Sequence, residues 1–594
     1  MLKSLLVPLS LAVSLAVCDA GLPAHPRLLV TAADWEKLPA RMEAEPAVRN
    51  IIQATVARAD SVLDAPPVTY VLTGRRMLSV SREALQRVLD LATTWKVSGD
   101  RKYLERCREE LLAVCAFKDW HPAHHLDTAE MQTAVAIGYD WLHAELSAEQ
   151  RKAIGTALLE KGLRETFGYK SLQERPNNWN QVCMAGMVFS SIALMDIEPD
   201  LCKQAMAEAR AAIKVGMKGS YAPDGAYAEG GGYWQYGTDF AILIVEALRT
   251  AGLPEAGIVS HPGFLESGRY LVQAHGTSGL LYNYGDTNES QPGISPALAW
   301  MARENRSGSL RHFAIQPILA PKLARSSRFL ALAAFWIPAA GDVKEDSLPL
   351  HFLGSGHSPV AFHRTGYKED GLFLGIKAGK ADVPHGHMDA GSFVLDWAGQ
   401  RWAADLGKQD YHSLEQKGFV LFQMEQESRR WEVFRLNNHT HNTLTYNGGL
   451  HRIDGKAKIL SSRGAPENET LLDMSAPLGL PKEATAQRRF TMEDGTVTVT
   501  DTLESLKPGD KITWHMITRA KVDSGKDGIE LRLGGKRMAL DLSSPQSKSI
   551  EISPADPPTT DHDEPNPGMT RIFLNAIAGD DGKMTIKAVF RGAE

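Results

Sequence analysis

The hydrophobic periodicity of the chain changes near its middle, and this change limits the fold more than any other feature. From about His25 to about Ala340, apolar residues recur at helical spacing, as in "TAEMQTAVAIGYDWL" and "YGTDFAILIVEALRTAG". From about Leu350, apolar and polar residues alternate, as in "GSFVLDWAGQRWAADLG". The pattern predicts an α+β multidomain chain, helical first and antiparallel β afterwards.

The helical half contains consecutive amphipathic helices and no strand signal. Met131, Val135 and Leu142 fall on one face of a helix, "SAEQ" from Ser147 is a capping box, and Gly252 ends another helix. This pattern fits a bundle, a solenoid or a toroid of helical hairpins. The lack of a fixed sequence repeat weakens the solenoid interpretation.

The second half contains two hairpin signals. Ala398-Gly399 and Asp494-Gly495 separate runs of alternating residues, as two-residue turns do. These hairpins predict an antiparallel β-sandwich or stacked sheets. With 594 residues there is room for two or three domains. We divide the mature chain into a helical domain, residues 21–340, and a β-sandwich domain, residues 345–594.

The N-terminus resembles a secretion signal over residues 1–20. Lys3 provides the positive charge, the run from Leu5 to Val17 is mostly apolar, and Ala20 is a small residue for cleavage. Lipidation at Cys18 is the alternative. Either interpretation predicts a periplasmic or secreted protein, and no other segment has the length and apolarity of an integral membrane span.

The overall charge gives little information about a partner. A formal net charge of -6 gives no sign of nucleic-acid binding. If the ligand is an anion, a local cluster of residues must attract it.

Two polar clusters of the helical half have both a structural and a functional interpretation. In "RPNNWNQVCMAG", Asn178 and Asn180 either cap a helix or bind a polar ligand, with Trp179 as a stacking surface. In "YAPDGAYAEGGGYWQYGTDF", Tyr233 and Tyr236 belong either to an aromatic cluster under a loop or to a cleft wall with a phenol for proton transfer.

A third polar cluster precedes these two in the sequence. "DWHPAHHLDTAEM" contains Trp120 and His124, which form either a helix-entry loop or a sugar-binding platform.

In the β half, "VPHGHMDAGSF" places His385, His387 and Asp389 at alternate positions. In an extended backbone these three side chains point to one face. Two histidines and one carboxylate suit Zn²⁺ with an open position. The spacing alone does not distinguish Asp389 from Asp405 as the carboxylate ligand.

A further histidine pair precedes another strand. "NNHTHNTLTYNG" offers His439 and His441, and the spacing leaves open which of them would join a metal site.

Six segments in order resemble the heparinase II/III-like polysaccharide lyases, which include heparin, heparan and alginate lyases. The segments are "HPRLLVTAADWEKL", "LDTAEM" with "YDWL", "NNWNQV", "PDGAYAEGGGYWQYG", "HGHMDAGSFVLDWAGQRWAADLG" and "HNTLTYNG". The resemblance implies an incomplete (α/α) toroid followed by an antiparallel β-sandwich, with a cleft between them. It also implies β-elimination on a polysaccharide that contains uronic acid, with an unsaturated uronate as product.

The resemblance also implies roles for individual residues. Tyr233 would be the catalytic phenol, with Tyr236 as second choice, and His385 the catalytic histidine. Asn178 would bind the substrate carboxylate. Some relatives have a histidine where this chain has Trp179, which leaves the second base undetermined.

The remaining implied residues fall into two groups. The substrate-binding candidates are Trp179, Asn180, Trp120, His124 and Glu229, of which Glu229 could instead be a capping or orienting carboxylate. The implied ligands of a structural zinc ion are His387, Asp405 and His441.

Two other functional classes stay open at this stage. A glycoside hydrolase on a similar helical toroid would need two carboxylates, for which Asp224 and Glu229 are the candidates. A non-catalytic glycan-binding protein would bind without forming a product.

Overall fold

The computed structural model describes residues 21–320, 327–525, 528–556 and 560–593. The predicted signal segment, with Cys18, lies outside these residues. Within the described ranges, no helix combines the length and apolarity that crossing a membrane requires.

The first part of the described chain is helical. Fifteen α-helices precede the first strand in this part: α1 (Ala32–Ala44), α2 (Pro46–Ser61), α3 (Leu78–Ser98), α4 (Arg101–Cys115), α5 (His125–Trp141), α6 (Ala148–Ala157), α7 (Arg164–Thr166), α8 (Lys170–Gln173), α9 (Asn178–Leu194), α10 (Pro199–Ser220), α11 (Gly231–Thr250), α12 (Ser267–Gln273), α13 (Pro296–Asn305), α14 (Gly308–Leu319) and α15 (Leu330–Trp336). The capping box at Ser147 is present at the start of α6, and Gly252 follows α11 with a φ of 70°.

The helices form a ring of hairpins. α2, α3, α5, α9, α11, α13 and α15 contact one another in that order, and α15 returns to α2. α4, α10 and α14 pack against α3, α9 and α13. The predicted (α/α) toroid is therefore confirmed as the fold of this part.

The helix α5 differs from its prediction. The spacing of Met131, Val135 and Leu142 predicts one buried face, yet every residue from His125 to Trp141 is buried. The physical reason is that α5 packs against both α3 and α9 inside the ring, so it has no solvent-exposed side.

The second part is an assembly of antiparallel strands with one further α-helix among its described residues. The elements are β1 (His351–Gly354), β2 (Val360–Arg364), β3 (Leu372–Lys377), β4 (Phe393–Trp397), β5 (Gln400–Ala403), α16 (Tyr411–Gln416), β6 (Leu444–Tyr446), β7 (Lys458–Arg463), β8 (Glu469–Asp473), β9 (Thr485–Glu493), β10 (Thr496–Glu504), β11 (Lys511–Thr518), β12 (Lys521–Gly525), β13 (Gly528–Leu533), β14 (Lys536–Ser543), β15 (Ser547–Pro554), β16 (Thr570–Ile577) and β17 (Met584–Ala593).

These strands form three sheets. A five-stranded sheet has the order β1-β2-β3-β4-β5, and an eight-stranded sheet has the order β12-β13-β14-β17-β10-β9-β8-β7. A four-stranded sheet has the order β15-β16-β11-β6. Both predicted hairpins are present, with positive φ at Ala398, Gly399, Asp494 and Gly495 as two-residue turns require.

The helical and β parts share apolar core. Val360, Phe362, Phe373 and Val394 of the five-stranded sheet belong to the same buried cluster as the helices. A continuous apolar contact of this kind fixes the position of the β3–β4 loop relative to the first turns of α9 and α11. The division into domains between residues 340 and 345 stays a prediction.

A buried ion pair in β9 and β10 leads to a stability prediction. Arg488 is fully buried, donates to both carboxylate oxygens of Asp501 at 2.6 and 2.9 Å, and donates to the backbone oxygens of Gly391 and Asn442. We expect Arg488→Ala to lower the free energy of unfolding by about 3–5 kcal/mol, because it leaves a buried carboxylate unpaired. Urea denaturation followed by tryptophan fluorescence measures this loss.

The neighbouring arginine is the matched control. Arg489 points to the other face of β9, where its side chain is exposed and pairs with Glu469. Arg489→Ala should change the same free energy by only about 0–1 kcal/mol. An equal loss in the two variants would contradict the role given to the buried pair.

Candidate active site

The loop between β3 and β4 brings His385 against the first turn of α11. Its imidazole stacks on the Tyr233 ring, with ring centroids 3.9 Å apart and an angle of 20° between the planes. His385 has a φ of 61°. The prediction that His385, His387 and Asp389 share one face of an extended strand is therefore wrong, since a turn presents these side chains.

A buried carboxylate, Asp286, lies behind His385 and is hydrogen-bonded to four side chains. The partners are His385 Nδ1 at 3.3 Å, His387 Nε2 at 2.9 Å, the Tyr411 hydroxyl at 2.9 Å and Arg430 Nη2 at 3.0 Å. Burial opposes ionisation, but the Arg430 guanidinium and the two histidines hold the pKa of Asp286 well below its usual range. The site therefore contains a fixed negative charge.

His385 lies between two carboxylates. Its Nε2 is 3.2 Å from Glu229 Oε1, and its Nδ1 faces Asp286. Burial favours the neutral ring, but the hydrogen bonds and charges of Asp286 and Glu229 outweigh it and raise the pKa of His385 to about 9. His385 is consequently an imidazolium at neutral pH, so it is a hydrogen-bond donor and a proton source in the resting site.

Two phenols form a chain that leads to Asp286. The Tyr233 hydroxyl lies 2.9 Å from the Tyr411 hydroxyl, which donates to Asp286 Oδ2. Burial and the Asp286 charge raise the pKa of both Tyr233 and Tyr411. The resting phenol of Tyr233 therefore carries its proton.

Glu229 connects His385 with the first turn of α9. Asn177 caps this helix with its side chain, and the N–H of Asn178 donates to Glu229 Oε2 at 3.3 Å. A negative carboxylate at this helix end is also favoured by the helix dipole. Among the described residues, nothing accepts from or donates to the Asn178 side-chain amide, so it is available to a ligand.

The close approach of α9 and α11 depends on a glycine. A Cβ at Gly237 would lie 2.3 Å from the Tyr227 hydroxyl and 3.3 Å from the Asn178 Cβ. The missing side chain lets the first turns of both helices, with Asn178 and Tyr233, lie side by side.

The predicted metal ligands are buried close together but are not arranged as one ligand set. The His387 and His441 rings have centroids 5.4 Å apart, and His387 Nδ1 and His441 Nε2 are buried without a hydrogen-bond partner. Asp405 Oδ2 is hydrogen-bonded to His441 Nδ1 at 2.7 Å, the position of an orienting carboxylate. Within the described ranges, no group of three or more His, Cys, Asp or Glu side chains is arranged to hold a metal ion.

Asp389, the other candidate carboxylate ligand, is paired with a lysine. Its carboxylate accepts from the buried Lys377 ammonium at 2.6 Å and from the N–H of Gly285 at 3.1 Å. The second candidate histidine, His439, packs its ring edge-on against His515.

Three predicted site residues have structural roles instead. Trp120 is fully buried and donates to the oxygen of Val114, so it is a core residue and forms no sugar platform. Asn180 is also fully buried, and its amide donates to three backbone oxygens. The Tyr236 hydroxyl donates to Glu130 at 2.9 Å, so its hydrogen bond is not made with Tyr233 or His385.

Trp179 and His124 form a separate partly exposed group. The edge of the His124 ring faces Trp179 with centroids 4.9 Å apart, and the Arg175 guanidinium covers the indole at 4.5 Å. His124 Nδ1 is hydrogen-bonded to Asp127 at 2.7 Å. A partly exposed aromatic ring under a guanidinium stays available as a stacking surface.

Sequence reasoning missed Asp286, Tyr411 and Arg430. Asp286 is more than 95 positions from His385 and 144 positions from Arg430 along the chain. None of the three lies in a motif with ligand-like spacing, so only the folded structure shows that they meet.

The carboxylate of Asp224 is bound by backbone groups. Its two carboxylate oxygens accept from the backbone N–H groups of Ala226 and Ser355. This carboxylate fixes a turn, so its contacts give no support to the alternative of a hydrolase that uses Asp224 and Glu229.

Comparisons with known proteins agree with this architecture. Residues 356–577 match the family model described as "Heparinase II/III-like, C-terminal". No curated protein sequence gives a significant match.

Solved structures match over most of the chain. A heparinase III structure is 12% identical with a TM-score of 0.62, covering 91% of this chain and 85% of that chain. Heparan sulfate lyase HepC from Pedobacter heparinus is 13% identical with a TM-score of 0.57, covering 91% and 83%. A chondroitin AC lyase from Streptomyces coelicolor A3, solved with chondroitin sulphate, is 14% identical with a TM-score of 0.50, covering 95% and 83%.

At these identities the structural matches establish the fold, while the family model covers much of the β part. The resemblance to the heparinase II/III-like polysaccharide lyases is therefore confirmed: residues 356–577 match the C-terminal family model, and the fold matches that of the solved lyases.

Proposed function

We propose that the chain is a lyase that cleaves a uronic-acid polysaccharide by β-elimination. The observation that carries the proposal is the stack of Tyr233 on His385, a phenol and an imidazole from the two halves of the molecule. Asn178, whose side-chain amide has no partner in the described chain, is linked to His385 through Glu229, which accepts from the Asn178 backbone N–H. The signal-like residues 1–20 support action in the periplasm or outside the cell.

The chemistry requires three tasks. The C5 proton of a uronate is weakly acidic, because its removal places a second negative charge on the carboxylate. A donor must offset that charge, a base must take the C5 proton, and an acid must protonate the leaving oxygen at C4.

The first task fits Asn178. Its amide has no partner among the described residues, and it stands at the first turn of α9, where helix N–H groups favour an anion. A preorganised donor of this kind contributes about 3–4 kcal/mol to transition-state stabilisation.

The other two tasks fit Tyr233 and His385 acting as a pair. At neutral pH the pair holds two exchangeable protons, one on the phenol and one extra on the imidazolium. Elimination needs one member protonated and the other free. The reactive form therefore has one proton fewer than the resting form. One member of the pair takes the C5 proton, and the other member protonates O4.

The substrate class follows from the reaction and from the neighbours. Two of the matching structures are those of a heparan sulfate lyase and of a chondroitin AC lyase in complex with chondroitin sulphate. We propose a glycosaminoglycan as the first substrate class to test, with alginate as a further uronate of the same reaction.

A tyrosine substitution tests the reaction. Tyr233→Phe should lower kcat by at least about 10²-fold, because it removes a proton-transfer group. The phenyl ring keeps the stack on His385, so the melting temperature should stay the same. The measurement is ultraviolet absorbance of the conjugated product on a panel of uronate polysaccharides.

Two comparison variants sharpen this test. Tyr446→Phe, in β6, should leave the rate unchanged, and Tyr236→Phe should do less damage than Tyr233→Phe. A Tyr233→Phe enzyme with full activity would contradict the assignment. Cleavage of the glycan without ultraviolet-absorbing product would indicate hydrolysis.

The pH profile should report the His385 pKa. Because the reactive pair has lost one proton, kcat/KM should rise with pH and level off near the pKa of about 9. Glu229→Gln removes a charge that raises this pKa, so the bend should move to lower pH. A wild-type profile without a bend in this region, or a bend that Glu229→Gln leaves in place, would contradict the pairing.

We also propose a structural zinc ion held by His387 and His441. The support is that His387 Nδ1 and His441 Nε2 are buried without partners, while Asp405 orients His441. Burial lowers the pKa of His387, which favours the neutral ring that a metal needs. Bound there, zinc would brace the loops that follow β3 and precede β6.

A metal analysis tests this proposal. His387→Ala should reduce bound zinc from about one ion per chain to none and lower the melting temperature, because it removes a ligand. His439→Ala is the matched control and should retain the metal. An unchanged zinc content in His387→Ala, measured by mass spectrometry of the metal, would exclude this ligand set.

A further inference from the structure

A cavity lies where the helical and β parts meet, apart from Tyr233 and His385. Its volume is about 320 Å³, within the range of small-ligand sites. Gln235 and Gly232 of α11 form part of its wall. Gln235 is two positions after Tyr233 and so points to the other side of the helix, away from the stack with His385.

The cavity wall contains a buried arginine, Arg364, at the end of β2. Its side chain is sandwiched by the Tyr367 ring at 4.2 Å and the Phe373 ring at 4.8 Å, and it is only 3% exposed. Nη2 donates to the backbone oxygens of Gln273 and His275 at 2.7 and 3.0 Å. Nε is buried without a partner, and Nη1 has no acceptor within the described ranges.

No carboxylate balances this charge among the described residues. Asp396 is the acidic group that acts on Arg364 electrostatically, but its oxygens accept from Arg401 and Ser278. Burial therefore lowers the pKa of Arg364 to about 10. A buried cation without a counter-ion is costly, and an anion that enters the cavity would offset that cost.

The start of α11 adds a second preference for an anion. Gly231 and Gly232 line the cavity, and their N–H groups are among those that an α-helix leaves unpaired at its N-terminus. No acceptor for them is present in the part of the chain that the structure describes. The helix dipole places positive potential at this end.

The rest of the wall suits a sugar. Phe313 and Tyr367 supply aromatic surface, and Ser278 and Gln291 supply a hydroxyl and an amide. Glu369 lies at the exposed rim and makes no ion pair with Arg364. Apolar faces with a few convergent polar groups are typical of small-ligand sites.

We propose that this cavity binds one anionic sugar unit, with its carboxylate or sulfate held by Arg364 and the first turn of α11. The proposal does not depend on the reaction proposed above, because none of the cavity residues takes part in it.

Calorimetric titration of the full chain tests the proposal with four probes: glucuronate, glucose 6-sulfate, glucose and inorganic sulfate. We expect both charged sugars to bind at least about tenfold more tightly than glucose, because only they provide the counter-ion. The two charged sugars distinguish a carboxylate from a sulfate as the preferred group. Inorganic sulfate should bind more weakly than glucose 6-sulfate, because it lacks the ring that the aromatic walls contact.

Gln235→Glu is the decisive variant, because Arg364 also supports the backbone and its replacement risks misfolding. The new carboxylate in the cavity should weaken binding of the charged sugars about tenfold through like-charge repulsion and leave glucose unaffected. Gln204→Glu, exposed on α10, changes the net charge equally and should have no effect.

Three results would overturn the proposal. Glucose could bind as tightly as the charged sugars, or inorganic sulfate as tightly as glucose 6-sulfate. Binding could also be lost in Asn178→Ala and kept in Gln235→Glu, which would locate the sugar beside Tyr233. The titration does not depend on lyase activity. The cavity proposal and the lyase proposal can therefore be contradicted independently of each other.

Discussion

The ionised carboxylate of Asp286 is the interaction on which the candidate site depends. A buried charge is stable only when its surroundings compensate it, and here Arg430, two histidines and Tyr411 do so. The backbone takes part as well, since the Asp286 N–H donates to the His385 oxygen at 2.9 Å. Gly285 permits this approach, because a Cβ there would lie 2.6 Å from that oxygen. The carboxylate thus fixes both the charge and the position of His385.

One side of the site stands on rigid helices and the other on a loop that is held in place. Asn178 and Tyr233 stand in the first turns of long buried helices, whereas His385 comes from a loop of the β part. The shared apolar core, with Phe362 and Phe373 from the sheet, keeps that loop in register with the helices. Functional groups on packed helices are held more accurately than groups on loops alone, so the loop needs the anchor that Asp286 provides.

The fold was largely predictable from the sequence, and the candidate site only partly. Periodicity reports local structure, so the helical half, the hairpins at Gly399 and Gly495 and the order of the two parts could be predicted. Tyr233 and His385 lie in recognisable motifs, and the structure brings them into contact. Asp286 could not be predicted, because its partners are distant in sequence. The prediction that Trp120 and Asn180 bind substrate was wrong, because the sequence does not show whether a polar or aromatic side chain faces a cleft or the core.

The charges of the site bear on how an anionic substrate would be held. At neutral pH, Asp286 and Glu229 are opposed by Arg430 and the His385 imidazolium, so these four groups cancel one another. A uronate that enters would therefore meet directed hydrogen bonds, such as those of Asn178, rather than a strongly positive field. With a net charge of -6 the protein as a whole also offers no attraction. Electrostatic affinity for an acidic glycan must then come from a cation outside this cluster, and Arg364, buried beside a cavity with no carboxylate partner in the described chain, is placed to provide it.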